Sequence, residues 1–198
     1  MKMTFPLFLT LLRIALIPVL ALFFYLPQSW AGIAAAIIFM LAAVTDWMDG
    51  YLARRMKLSS VFGAFLDPVA DKLMVATALV LLVQQNPQVL FTLSAAVIVG
   101  REIAISALRE WMAELGKSGH VKVSGLGKIK TIFQMTAISL LLLERDLFGL
   151  PLQLIGLILL YLAAALTLWS MWLYLHAAWP MMVAAQKPGN LDDNAHQH

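Results

Sequence analysis

Apolar residues in this chain do not alternate with polar ones over a short period. They gather into long blocks separated by brief polar or proline-bearing breaks. Six blocks can be drawn: about 6–26, 30–54, 61–84, from just after Pro87 to about Leu115, 126–144, and 151–178. A helix needs roughly 20 consecutive apolar residues to cross a bilayer, so the pattern predicts six transmembrane helices joined by short loops. The first block follows Met1-Lys2 without a small-residue cleavage site, and it reads as a retained span rather than a signal peptide. The tail from Gln186 to His198 is polar, carries Pro188, Gly189 and Asn190, and is expected to be disordered. The predicted organisation is an all-α, polytopic membrane domain over 1–185, a compact six-helix bundle, followed by a disordered polar tail over 186–198.

Composition strengthens this picture. Of the 198 residues, 62% are hydrophobic and 13% charged, whereas a soluble domain carries about a quarter charged residues. Too few charges remain to coat a water-soluble surface, and the chain is too apolar to stay disordered. The net charge of +3 comes from basic residues that flank the blocks. Membrane topology therefore explains it better than nucleic acid does, and no nucleic-acid partner is expected. The breaks at 27–29 and 84–88 hold no Lys or Arg, and the one at 145–150 holds only Arg145. Lys2, Arg54, Arg55, Lys57, Lys117, Lys122, Lys128, Lys130 and Lys187 collect at the other side. The positive-inside rule then places both termini in the cytoplasm, as an even number of spans requires. The absence of cysteine excludes disulfides, thiolate metal sites and cysteine nucleophiles.

Acidic residues are few, 11 in all, yet Asp46, Asp49, Asp67 and Asp71 fall within 26 residues and interrupt blocks two and three. An aspartate in the middle of a membrane costs about 2.5–3.5 kcal/mol, and less near the interface. Asp46 and Asp49 are three apart, and Gly50 and Ala53 continue the same helical face; Asp67 and Asp71 are four apart on another. Two antiparallel helices joined by a short basic turn can bring those faces together. Four carboxylates at one depth repel, so either some are protonated or divalent cations lie among them. Oxygen ligands without His or Cys point to Mg²⁺, Mn²⁺ or Ca²⁺ rather than zinc. Two carboxylate pairs could hold two ions. Gly50, Ala53, Gly63 and Ala64 leave room either for close helix packing or for a substrate. The simplest alternative for the acids is ion pairing with Arg54, Arg55 and Lys72.

The pattern Asp46-x2-Asp49-Gly50-x2-Ala53-Arg54-x8-Gly63-x3-Asp67-x3-Asp71 resembles the signature of the CDP-alcohol phosphotransferase family at all eight positions. Within that family the stretches 43–47, 62–72, 101–103, 106–113 and 127–131 are most similar to bacterial members that take sn-glycerol 3-phosphate as acceptor. The chain also has the family's Pro6, Leu9-Thr10 and Arg13, but not the Asn that accompanies the Pro. A nucleotide contact through that Asn is therefore without support here.

The resemblance implies a phosphatidyl transfer from CDP-diacylglycerol to glycerol 3-phosphate at the cytoplasmic face of a bacterial inner membrane. Asp46, Asp49, Asp67 and Asp71 would bind the divalent metal, Mg²⁺ or Mn²⁺ and two ions in number, with Asp71 also the general base. Gly50, Ala53, Arg54 and Gly63 would surround the CDP moiety, with Thr45 and Arg13 as further donor-site candidates. It also implies a homodimer.

The acceptor's phosphate requires cations, and some of Arg101, Arg109, Lys128 and Lys130 are expected to hold it. The bland alternative is that Arg101 pairs with a motif aspartate or Glu102 and that the others are ordinary flanking charges. His176 and Trp30, Trp111, Trp169, Trp172 and Trp179 read as residues of the membrane interface. Competing readings are another acceptor (phosphatidylglycerol, inositol phosphate or serine), a divalent-cation transporter lined by the aspartates, and a purely structural membrane subunit.

Overall fold

A computed structural model describes residues 5–56, 61–114, 126–146 and 149–185. The 186–198 tail, Lys2, Lys57 and the loop cations Lys117 and Lys122 lie outside the described residues. Six helices follow one another: α1 Phe5–Phe24, α2 Ala31–Met56, α3 Val61–Gln85, α4 Val89–Glu114, α5 Leu126–Leu142 and α6 Leu152–Ala185. Among the described residues there is no β-strand. Each helix coincides with one apolar block to within a few residues, except that α6 runs on past the expected end at 178 to Ala185. The apolar run defines where a helix can be buried, and nothing obliges the helix to stop where the run does.

The breaks have local causes. The chain leaves α1 ahead of Pro27, with Tyr25 and Leu26 donating back to the carbonyls of Ala21 and Phe23. Between α3 and α4 the Asn86-Pro87-Gln88 turn is closed by Gln88 N–H on Asn86 O at 2.8 Å. Beyond α5, Glu144 takes a left-handed φ of 59°, a conformation that glycine usually supplies after a helix. Pro68 sits inside α3, between Asp67 and Asp71. It has no amide proton to give to the carbonyl one turn earlier.

α1 packs against α2 and α3, α5 against α6 and α2, and α4 against α6 and α3. Their shared core is Leu20, Phe39, Met74, Leu79, Phe91, Ile98, Ile138, Leu141 and Leu160, with alanines at 35, 36, 42, 78, 137 and 164 where helices approach closely. Two glycines mark the tightest approaches. A Cβ on Gly32, at the start of α2, would sit 2.8 Å from Leu142 O and 2.9 Å from Leu143 O. One on Gly156 of α6 would meet the Leu141 side chain at 2.9 Å.

The outside is also apolar: Leu22, Val80, Ile103 and Ile132 are each more than 60% exposed. So broad an exposed apolar surface is foreign to a soluble monomer and natural against lipid. Serines in these helices turn their hydroxyls onto their own backbone, as Ser94 does on Leu90 O and Ser139 on Met135 O, both at 2.9 Å. Among the described residues, three helices have stretches long and apolar enough to cross a membrane: Leu7–Phe24, Val89–Met112 and Leu152–His176. Ala31–Asp46 and Ile129–Leu142 are shorter apolar stretches.

Candidate active site

Three helices converge on one guanidinium. Arg13 lies in the middle of α1, in an otherwise apolar run, and is 1% exposed. Its Nη1 is 2.9 Å from Asp46 Oδ1 on α2 and 3.1 Å from Asp67 Oδ1 on α3. The same nitrogen serves both acids, so the two carboxylates aim at a single point. The acids are more open than their partner, at 38% and 37% exposed. The guanidinium thus forms the closed back of the cluster and the carboxylates its accessible side. Removing an arginine from water at this depth is costly unless it is paired, and the pairing explains how α1 tolerates it.

Asp71, one turn beyond Asp67, makes no ion pair among the described residues. With Arg13, Phe39, Ala42, Ala43, Met74, Val75 and Met135 it lines a cavity of about 10 Å³, the space of a single water molecule. Gly63 lies one turn before Asp67 on α3. Thr45 adjoins Asp46, but its hydroxyl donates to Leu41 O at 2.6 Å, so it is engaged with its own helix. Asp49, Gly50, Ala53 and Arg54 occupy the last turns of α2, and Lys128 the first turn of α5. The side chains of Asp49, Ala53, Arg54 and Lys128, and the surroundings of Gly50, lie outside the described part of the structure, as does the side chain of Arg55. Among the described residues no three acidic or imidazole side chains gather closely enough to cage a metal by themselves. What the described residues do supply is a pair of hard carboxylate oxygens converging on a point of positive charge. That donor set suits a hard divalent cation.

A second cluster joins α4 and α5. Lys130 is 2% exposed, and its Nζ donates to Glu102 Oε1 at 2.8 Å. Arg101 Nη1 donates to the same oxygen at 3.0 Å. Arg101 Nε is buried and has no hydrogen-bond partner among the described residues. Gln134, one turn beyond Lys130, is also buried. Met135 follows on α5 and forms part of the cavity wall beside Asp71, so the helix that carries Lys130 also borders the acidic cluster. Arg109, two turns farther along α4, is exposed, with its guanidinium carbon 5.8 Å from the centre of the Tyr174 ring on α6.

Of the residues singled out from sequence, the structure therefore brings Arg13, Asp46 and Asp67 into contact and Asp71 beside them. It brings Arg101 and Lys130 together through Glu102, with Arg109 farther along α4 against Tyr174. Two features were understated by the sequence reading. Arg13 is the centre of the acidic cluster rather than a peripheral donor contact, and Glu102 is the hub of the basic one. The usable signal for both was the same: an ionisable residue inside an apolar run has to have a partner. His176 is exposed, its ring centre 5.6 Å from that of Trp172 and tilted by 40° to it.

The sequence family described as CDP-alcohol phosphatidyltransferase matches residues 3–169. The chain is 54% identical over 179 residues to a protein of Yersinia pestis (strain Pestoides F) named CDP-diacylglycerol–glycerol-3-phosphate 3-phosphatidyltransferase, covering 90% of this chain and 97% of that one. It is 54% identical over 180 residues to a protein of the same name from Sodalis glossinidius (strain morsitans), and 56% identical over 180 residues to one from Pectobacterium atrosepticum. Those two alignments each cover 90% of this chain and 96% of the relative.

Proposed function

The chain belongs to the CDP-alcohol phosphatidyltransferase family, and from that premise we propose that it transfers the phosphatidyl group of CDP-diacylglycerol to sn-glycerol 3-phosphate, releasing CMP and forming phosphatidylglycerophosphate. The observation that carries this reading is the similarity, over 90% of the chain, to relatives that bear this reaction in their name. The paired clusters support it: acids suited to a metal and its pyrophosphate, and one buried and one half-buried cation suited to a second, phosphorylated substrate.

In this reading the primary hydroxyl of the acceptor attacks the phosphorus that carries diacylglycerol. The bond from that phosphorus to the bridging pyrophosphate oxygen breaks, and CMP leaves with the electron pair. The hydroxyl proton passes to Asp71, whose carboxylate has no cation of its own among the described residues. Asp46, Asp49, Asp67 and Asp71 are the ligands of a divalent metal, Mg²⁺ or Mn²⁺, with two ions as the full complement. When bound, such an ion draws charge from the phosphoryl oxygens and makes the phosphorus easier to attack. Gly50, Ala53 and Gly63 leave room for the CDP moiety, which Arg54 and Arg13 help to hold; Thr45 can offer that moiety only its lone pairs. Arg101 and Lys130 bind the acceptor phosphate, with Arg109 and Lys128 at its approach. Glu102 keeps the first two side by side. All six helices span the bacterial inner membrane, both termini and the active site are on the cytoplasmic side, and the enzyme is a homodimer.

The test is an acceptor screen on the purified protein with CDP-diacylglycerol and Mg²⁺, reading CMP release. Glycerol 3-phosphate should support turnover and serine, inositol phosphate and phosphatidylglycerol should not. Faster release with any of these would assign a different acceptor. No release with any acceptor, together with Mn²⁺ uptake into proteoliposomes, would favour transport instead.

A further inference from the structure

A hydroxyl inside a helix has an easy partner in the carbonyl of the turn before it. Thr45, Ser94, Ser106 and Ser139 each donate to the carbonyl four residues back, and Ser170 to the one three back. Thr167 of α6 does not. It is fully buried, and its Oγ1 has no hydrogen-bond partner among the described residues. A buried polar atom left unpaired is costly, and native structures contain few of them.

The packing of α6 says what lies opposite. Gly156, Leu160, Ala163, Ala164 and Thr167 form its buried stripe. That stripe meets α5, because a Cβ on Gly156 would touch the Leu141 side chain and lie 3.3 Å from Ala137 O. α5 and α6 follow one another through a short turn and pack side by side, so they run antiparallel. Thr167 is eleven residues beyond Gly156, which is three turns and about 16 Å along the same face. Eleven residues back from Leu141, on the buried face of α5, is Lys130. Thr167 therefore stands level with Lys130 to within about a turn.

Lys130 belongs to the cluster in which Glu102 Oε1 accepts from both Lys130 and Arg101. Arg101 Nε is a second buried donor without a partner there. At one level of the bundle, a guanidinium N–H and a hydroxyl both lack an acceptor. A phosphate brings several charged acceptor oxygens at once. We infer that Thr167 is a binding residue for the acceptor substrate: its hydroxyl donates to the phosphate of glycerol 3-phosphate that Arg101 and Lys130 hold. Helices α4, α5 and α6 then each give that phosphate a donor. An acceptor without a phosphate leaves these donors unpaired, so they also select for one. This inference rests on the proposed acceptor site.

The experiment measures CMP release with each substrate varied in turn, on the full chain in detergent micelles. Thr167→Val keeps the shape and deletes the hydroxyl, and it should raise KM for glycerol 3-phosphate about tenfold with KM for CDP-diacylglycerol within about twofold. Thr167→Ser restores the donor and should return the acceptor KM to within about threefold of wild type. A rise of less than threefold in Thr167→Val, or equal rises for both substrates, overturns the inference. Thr167→Ala also lacks the hydroxyl and must show the same selective rise should the valine variant not fold.

Melting without substrate supplies a readout that a structural role would move the other way. The hydroxyl is unpaired in the free protein, so Thr167→Val should melt no lower than wild type. A fall of more than about 3 °C would reveal an internal partner and overturn the inference. Lys130→Met separates the two levels of argument. If it raises the acceptor KM and Thr167→Val does not, the acceptor site stands and Thr167 is no part of it. If neither does, the acceptor site itself fails and this inference with it.

Discussion

Replacing Lys130 by Met keeps the length and apolar stem of the side chain and deletes its charge. In the folded protein Lys130 Nζ sits 2.8 Å from Glu102 Oε1, in a residue that is 2% exposed. Breaking a buried pair by removing one partner costs about 3–5 kcal/mol when the other is left alone. Here Glu102 is not left alone, since Arg101 holds the same oxygen at 3.0 Å, and Glu102 is 27% exposed to begin with. The expected loss of stability is therefore smaller, on the order of 1–2 kcal/mol.

The functional effect should be larger and selective. A hydrogen bond to a charged group contributes about 1.5–3 kcal/mol, so losing one contact to the acceptor phosphate should raise KM for glycerol 3-phosphate about ten- to a hundred-fold. The assay is CMP release with each substrate varied in turn at saturating levels of the other. KM for CDP-diacylglycerol should move less than about twofold, since a cation that binds only the acceptor contributes uniform binding to that substrate alone. The double variant Lys130→Met/Glu102→Gln provides the control. Neutralising both partners should recover part of the stability while the acceptor KM stays high. Equal rises in both KM values, or recovery of the acceptor KM in the double variant, would reduce Lys130 to a strut for Glu102 and refute the reasoning.

Asp67→Asn and Asp71→Asn should each abolish CMP release while the protein is still recovered folded from membranes; near-normal turnover in either would remove that residue from the metal site. Gly32→Ala should lower thermal stability by about 1–3 kcal/mol, because the new methyl meets two backbone oxygens that cannot rotate away; an unchanged melting temperature would show that α2 and α5 are not in close contact at that end. Glu144→Gly should raise stability by about 1 kcal/mol, since Glu144 has a φ of 59° that costs an L-residue about 1–2 kcal/mol; destabilisation on thermal unfolding would mean that the Glu144 side chain contributes more than its backbone loses.

The helices were legible because the sequence separates them so plainly: apolar blocks long enough for α1 to α6, with Pro27, Pro87 and the basic stretch from Arg54 to Lys57 among the breaks. The facing of Asp67 and Asp71 was legible too, since four residues make one helical turn. What the spacing could not give was partnership across helices. Arg13 is 33 residues from Asp46 and 54 from Asp67, and no local rule connects them. Lys130 was an expected phosphate-binding cation whose bland alternative was a flanking charge at the start of a span, and the sequence offered no way to choose. Only the packing of α4 on α5 makes it a buried partner of Glu102. Nor could the sequence show how Thr45, a donor-site candidate from the resemblance, spends its proton: a helical threonine has a carbonyl four residues back within reach, and Thr45 donates to that of Leu41.

The glycine at the head of α2 has a bearing on the chemistry at the other end of that helix. Phe39, 1% exposed, lies midway between Gly32 and Asp46, seven residues from each. Gripped there, α2 behaves as a seesaw about 21 Å from end to end at 1.5 Å per residue. The 2.8 Å clash of an added methyl needs about half an ångström of relief, and the far arm swings by a similar distance. On the proposed metal reading, Asp46 would have to meet an ion to within about 0.2 Å and would register that swing. The bare backbone at position 32 thus helps to set where a carboxylate about 21 Å away is held.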